Sequence, residues 1–302
     1  MKEVYQLCGV SKQAHNQALK RLAQIVDKTA YYIGFIYKIR ECHPGMGLRM
    51  MYEQFNPEGI GRDQFIALGL SAGLRLRKIR NAIKTTRSVK NNRYSNLLVG
   101  KRFTDVNQIW VSDIFYFSVN GIHQYVVLLM DAYSRRIVGY SAADNMRAIN
   151  NIKALKMALK LRGVENYNEE LIHHSDRGSQ YISDDYTNLL DEYGIQISMC
   201  SNVLENAHME RANGTIKNDY LARWVIKHPK NLPRWLKKAI KGYNNRIHHA
   251  HKYNGLPKMT PIQFENYIKE LAIEDRPVLK IFTYASPKNL KDNRQLSLFE
   301  QY

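Results

Sequence analysis

Apolar residues recur at helical spacing through the first third of the chain and switch to strand-like runs near residue 109. Ser11 followed by Leu19, Leu22, Ile25 and Val26 predicts a capped helix over Lys12 to Ile36. His43-Pro44-Gly45-Met46-Gly47 should break it, and Arg62 to Leu76 reads as a helix pair interrupted at Gly69. Residues 5–26 could also form a small helix-turn-helix around Gly9-Val10-Ser11, with a plain packing helix the equal alternative. Ile109 to Val119 is rich in Ile, Val, Phe and Tyr, and Asn120-Gly121 then gives a hairpin signal, because both turn positions need positive φ. Ile122 to Met130 is the returning strand and Arg136 to Ser141 a third. A helix Ala148 to Leu161, a strand Leu171 to His174, a helix Asp184 to Tyr193, a strand Gln196 to Met199 and a helix Asn206 to Ala222 complete the unit.

That order, β-β-β-α-β-α-β-α, predicts an α/β fold of ribonuclease-H-like type, a mixed five-stranded sheet with helices. The expected organisation is a helical basic region over 1–100, the α/β domain over 101–270, and a strand with a polar tail over 271–302.

Charge changes the picture. Forty-five Lys and Arg against 27 acids leave a net charge of +18. Such an excess points to a polyanionic partner, since each phosphate bound takes up a cation and releases counterions. From Gln64 to Thr104 there is no acid among ten basic residues, including Arg75, Lys84 and Arg93. From Lys217 to Lys258 eleven basic residues surround the single acid Asp219, with Trp224, Trp235, Tyr243 and Tyr253 interleaved. Those aromatics can stack on bases or pack a core, and core packing is favoured for the two Trp.

No secretory signal or membrane-length apolar run is present, and three scattered cysteines fit a reducing compartment. The expectation is a cytoplasmic, nucleoid-associated protein with no membrane partner.

Three carboxylates carry the candidate chemistry. Asp113 interrupts the apolar strand WVSDIFY, where a carboxylate is costly unless a cation meets it. Asp176 follows the fourth strand, and Glu210 lies on the last helix with Ala207, Gly214 and Lys217 on its face. Each has an ordinary reading as well: a strand-edge acid, a turn acid, a first-turn glutamate. The expected fold brings all three together, and such oxygen ligands suit Mg²⁺ or Mn²⁺, two ions being the pattern for phosphoryl transfer. Glu205 is a rival for the third position, while Asp131 reads as a turn residue and Asp185 as a further nearby acid. His173 and His174, and His248, His249 and His251, lack the compact Cys and His spacing that zinc requires.

The strings WVSDIFYF, DAYSRRIVGYS, HHSDRGSQY, ENAHMERANGTIKNDYL and YNNRIHHAHKYNGLPKMTPIQFE resemble the ordered signature blocks of OrfB-type DDE transposases of bacterial insertion sequences, whose core is similar to retroviral integrases. The resemblance runs from about Phe103 to Glu265, and 33 residues separate Asp176 from Glu210, close to the family spacing. It implies that Asp113, Asp176 and Glu210 are catalytic and hold Mg²⁺ or Mn²⁺, and that Lys217 touches the DNA end. Arg177, Arg246 and His248 join it as candidate DNA contacts, while Gly178 and Asn206 shape the site. It further implies end cleavage by activated water and joining of the 3′-OH to target DNA. The partners would be terminal inverted repeats, target DNA, a homo-oligomer, and an upstream-frame DNA-binding partner or fusion. Phe115 stands where the family commonly has Thr, and Arg211 where it has Ser, so tuned rather than lost activity is expected. The alternatives are an inactive transposase-derived DNA-binding regulator, and a nuclease on the same fold that cuts without joining.

Overall fold

A computed structural model of the chain describes residues 9–77, 79, 93–98, 100–163, 171–200, 207–248 and 258–280. It divides into two compact units, Met1–Arg80 and Asn81–Tyr302. In the first, helix α1 (Lys12–Cys42) begins where the sequence places it, the Ser11 hydroxyl accepting the Ala14 N–H at 3.1 Å. It continues past Ile36 to the Pro44 break, and Tyr32, Ile36 and Ile39 pack against Met46, Met51 and Phe65. Those partners come from α2 (Leu48–Phe55), α3 (Arg62–Ser71) and the preceding turn. The apolar positions that announce α1 lie elsewhere: Leu22 is 57% and Ile25 60% exposed. Periodicity identified the helix but not the part of it that is buried.

Gly69 does not interrupt a helix pair. It lies buried inside α3, where an added Cβ would stand 2.7 Å from the Leu48 side chain, so its smallness lets α3 approach α2. The helix ends instead at Ala72, followed by Gly73 at φ 72°.

The second unit is built on a five-stranded sheet. Its strands are β2 (Ile109–Val119), β3 (Ile122–Asp131), β4 (Ile137–Ala143), β5 (Ile172–Ser175) and β6 (Gln196–Met199), ordered β4-β3-β2-β5-β6. The first three form an antiparallel meander, and β5 and β6 add parallel to β2. This is the ribonuclease-H-like arrangement that the element order predicts. The β2–β3 turn has Asn120 at φ 51° and Gly121 at φ 80°.

Alternation along the strands sorts the two faces. Val111, Phe115, Leu128 and Met130 pack beneath α6 (Ala207–Thr215), α7 (Leu232–Asn244) and α8 (Pro261–Lys269). Trp110, Leu129 and Val138 pack beneath α4 (Ala148–Arg162) and α5 (Asp184–Glu192). At Gly139 an added Cβ would stand 2.1 Å from the Ala154 carbonyl oxygen, so glycine sets the separation of β4 and α4. A two-stranded antiparallel ribbon joins β1 (Arg102–Phe103) to β7 (Leu279–Lys280).

Helices α7 and α8 were not anticipated. Leu232, Leu236, Ala239, Ile240 and Tyr243 of α7 are buried at helical spacing, although the surrounding cations dominate its composition. The Thr260 and Gln263 pair that opens α8 is a reciprocal capping box.

The sharpest addition is a buried charge cluster. Glu265 of α8 accepts from Arg162 (2.6 and 3.0 Å), Arg136 (2.6 Å) and the Ser134 hydroxyl (2.7 Å). Asp131 makes the expected turn, accepting the Tyr133 and Ser134 N–H groups, but does so fully buried, with Arg162 at 3.5 Å. Burial opposes the charge on Glu265, and its bonds to Arg162, Ser134 and Arg136 outweigh that and hold its carboxyl below the ordinary value.

Candidate functional site

Ile109, Val111, Asp113 and Phe115 alternate along β2, so Asp113 points to the face covered by α6. The parallel pairing of β2 with β5 ends at Ser112↔Ser175. Asp113 and Asp176 are therefore the next residues of adjacent strands, side by side at the carboxyl end of the parallel pair, where open α/β sheets present their ligand sites. From the helix, Asn213 Nδ2 donates to Asp113 Oδ2 at 2.7 Å. Glu210 is one turn earlier on α6, on the side of the helix that Asn213 turns toward β2.

The electrostatics follow from this placement. Burial pushes Asp113 up to about 7, with the charge of Asp176 next and that of Glu210 adding to it. Hydrogen bonds from the Ile114 N–H (2.8 Å) and Asn213 work in the opposite direction. Asp176 is also raised by burial, against the Gly178 N–H that it accepts at 3.1 Å. An added Cβ at Gly178 would stand 3.1 Å from that same Asp176 oxygen and 2.9 Å from Gln180 Oε1, which gives the small residue its reason. On the opposite face of the sheet, Ser112 donates to the Leu128 carbonyl (3.0 Å) and shares a hydrogen bond with the Tyr181 hydroxyl (2.9 Å).

The donor set suits a hard divalent cation: each carboxylate raises the cost of ionising Asp113, and a cation would reverse that sign. Among the described residues, however, no three His, Cys, Asp or Glu side chains stand together as ready-made ligands, and Glu210 is exposed. The acids are electrostatically coupled without forming a preassembled cage.

Residues 104–202 match the integrase core domain family. The chain is 30% identical over 232 residues to the insertion element IS600 uncharacterized 31 kDa protein of Shigella sonnei, covering 75% of this chain and 83% of that one. It is 30% identical over 214 residues to the transposase for insertion sequence element IS629 of Shigella sonnei, covering 68% and 70%. The chain belongs to the insertion-sequence transposases. Among solved structures, the HTLV-2 integrase catalytic core domain in complex with magnesium is similar at a TM-score of 0.41 and 21% identity, covering 52% of this chain and 94% of that one.

The remaining candidates of this transposase fall in different surroundings. Lys217 was expected two regular turns after Glu210; it is the second residue of a π-helical turn, Ile216–Tyr220, that follows α6 and is itself followed by a 3₁₀ turn at Leu221–Arg223. Arg246 is largely buried and pairs with Asp219 at 2.8 Å, which ties it into the fold behind α6. Arg177 Nε donates to the Cys200 carbonyl at 2.9 Å, and His248 bonds the Tyr243 carbonyl at 3.1 Å.

His173 and His174 are core residues. His173 bonds Tyr186 (2.9 Å), and His174 bonds Ser198 (2.9 Å) and Cys200 (3.0 Å). Burial takes them down to about 3 and about 4, so both are neutral at physiological pH. Glu205, Asn206, His249, His251 and Tyr253 lie outside the described residues.

Sequence reasoning missed Asn213 and the Ser112–Tyr181 pair. Asn213 was detectable from its spacing, three residues after Glu210 on one helix face. The Ser112–Tyr181 bond joins residues 69 apart and had no local signal.

Proposed function

We propose that this transposase cleaves the ends of its element and joins them to target DNA by phosphoryl transfer, with Asp113, Asp176 and Glu210 as the catalytic acids. The single observation that carries the reading is the raised Asp113, on which burial acts first, the charge of Asp176 next, and that of Glu210 in the same direction. A group held so is ionised most readily when a cation is near. When bound, Mg²⁺ or Mn²⁺, two ions in the usual pattern, would activate the attacking oxygen and stabilise the leaving one.

The chain's own residues do the rest. Asn213 and the Ile114 N–H fix both oxygens of Asp113, so one direction remains for each oxygen's second lone pair. The Gly178 N–H orients Asp176 in the same way. Glu210 comes from a helix rather than from the sheet, so its position depends on how α6 seats. Lys217 and Arg177 are the candidates to meet the DNA end, and the phosphates of DNA would neutralise the cationic excess of the chain. A homo-oligomer on paired ends, an upstream-frame partner and a nucleoid location belong to the same proposal.

The test uses labelled duplex carrying the inverted repeats that flank the gene, incubated with Mg²⁺ or Mn²⁺. Metal-dependent 3′-end cleavage and joined products are expected, with at least a thousandfold loss in Asp113→Asn and in Glu210→Gln. Binding with no cleavage by the wild type, in both the chain and its upstream-frame fusion, would favour the DNA-binding regulator. Cleavage without joined products would favour the nuclease.

A further inference from the structure

The exposed side of α7 and the segment leading into it carry a run of charge that the acid site does not use. Between Lys227 and Lys241 every charged residue is a cation: Lys227, Lys230, Arg234, Lys237, Lys238 and Lys241. All six are exposed, and Arg234, Lys237 and Lys241 fall at i, i+3 and i+7, one stripe along the helix. None of the six forms an ion pair among the described residues. An outer helix face that served solubility alone would ordinarily mix signs.

Two further features distinguish this face. Trp224 and Trp235 lie half-buried at its edge, ring centroids 5.0 Å apart, with Lys238 Nζ 5.1 Å above the Trp224 ring. Beside them opens a pocket of about 230 Å³ lined by Val225, Lys227, Asn231, Arg234 and Trp235. Its lining joins two cations and an amide to an apolar wall. That combination matches one sugar-phosphate unit, the phosphate on Lys227, Arg234 and Asn231 and the deoxyribose against Val225 and Trp235. Val225 is 81% exposed, an unusual setting for a large apolar side chain unless something covers it.

We infer that the outer face of α7, from the Lys227 pocket to Lys241, is a docking surface for the backbone of duplex DNA, distinct from the acid site. Charge complementarity selects the occupant. Arg234 to Lys241 spans about 10 Å at 1.5 Å per residue, a length over which duplex DNA presents roughly six phosphates. A second copy of the same face would meet it with like charge. The inference rests on DNA being the partner and does not require the acids to be catalytic.

The experiment measures binding of a fluorescent duplex of arbitrary sequence, in EDTA, between about 50 and 200 mM salt. Wild type is compared with Arg234→Gln/Lys237→Gln/Lys241→Gln and with Lys153→Gln/Lys156→Gln/Lys160→Gln. The second triple removes equal charge from the exposed side of α4, which packs on the other face of the sheet. With about 0.9 in salt slope per phosphate contact, the α7 triple should be shallower by up to about 2.7. The affinity lost across that salt range then shrinks by up to roughly fortyfold, and the α4 triple should stay near wild type. A change under about 1 in slope, or an equal change in both triples, overturns the inference; melting temperatures matching wild type show that both variants fold. If wild type itself does not bind duplex, the proposed activity on DNA ends fails as well, whereas tight wild-type binding with an unchanged α7 triple removes only the α7 surface.

Discussion

Replacing Asp113 by Asn should stabilise the metal-free protein, and the gain should grow with pH. Asp113 stands at about 7 in the folded chain against an ordinary value of 3.8. Between those two values the unfolded chain gives up a proton that the folded chain keeps. Stability is therefore greatest below pH 3.8, falls by 1.36 kcal/mol per pH unit as pH rises, and levels off above 7. About three units give a ceiling of about 4 kcal/mol, which water entering around an ionised carboxylate would reduce. The Asn side chain has no such penalty. It can accept from only one of the two donors that Asp113 satisfies, Ile114 N–H and Asn213 Nδ2, at a cost of about 1 kcal/mol. The variant should be near wild type at pH 5 and more stable by about 1–3 kcal/mol at pH 8. Urea unfolding in EDTA at intervals of pH measures this. Parallel stability curves for the two proteins would refute the claim that burial, together with the neighbouring acids, raises Asp113.

Gly139→Ala should destabilise by more than about 3 kcal/mol or prevent folding, because the new methyl meets the Ala154 carbonyl rather than a movable side chain; thermal unfolding tests it, and a wild-type melting temperature would contradict it. Glu265→Gln should cost about 3–5 kcal/mol by leaving Arg162 and Arg136 without their shared carboxylate, read by urea unfolding at pH 7. His173 and His174 lie below the unfolded value of 6.5, so their contribution is present above 6.5 and is lost as pH falls, at up to about 2.7 kcal/mol per unit for the two together. His174→Gln should remove about half of that slope between pH 6 and 4.5, and an unchanged slope would mean that the pair does not govern acid unfolding.

Much of this architecture was legible because it was local. The β2–β3 hairpin follows from an apolar run, an Asn-Gly turn and a second apolar run, and its φ angles are those the turn requires. The three acids could be ordered along the fold because each marks the end or face of a recognisable element. What escaped was non-local or obscured. The Glu265, Arg162 and Asp131 cluster joins residues more than 100 apart. Helix α7 has a clear apolar stripe, but the density of cations drew attention to charge instead of period. The π-helical turn after Thr215 keeps a helical composition while changing the pitch, so an i+7 inference to Lys217 could not detect it. At Gly69 the error was one of kind: glycine was read as a breaker where close packing against Leu48 was the constraint.

The most direct test of the central claim is calorimetric titration of Mn²⁺ into the full chain at about pH 6, where Asp113 still keeps its proton, beside Asp113→Asn and Glu210→Gln. Wild type should bind with saturable heat and release protons, because Asp113 must give up its proton when a cation arrives; both variants should lose most of that heat. Equal binding by all three proteins would show that the metal is held elsewhere, and that the coupled acids are not the centre of the chemistry.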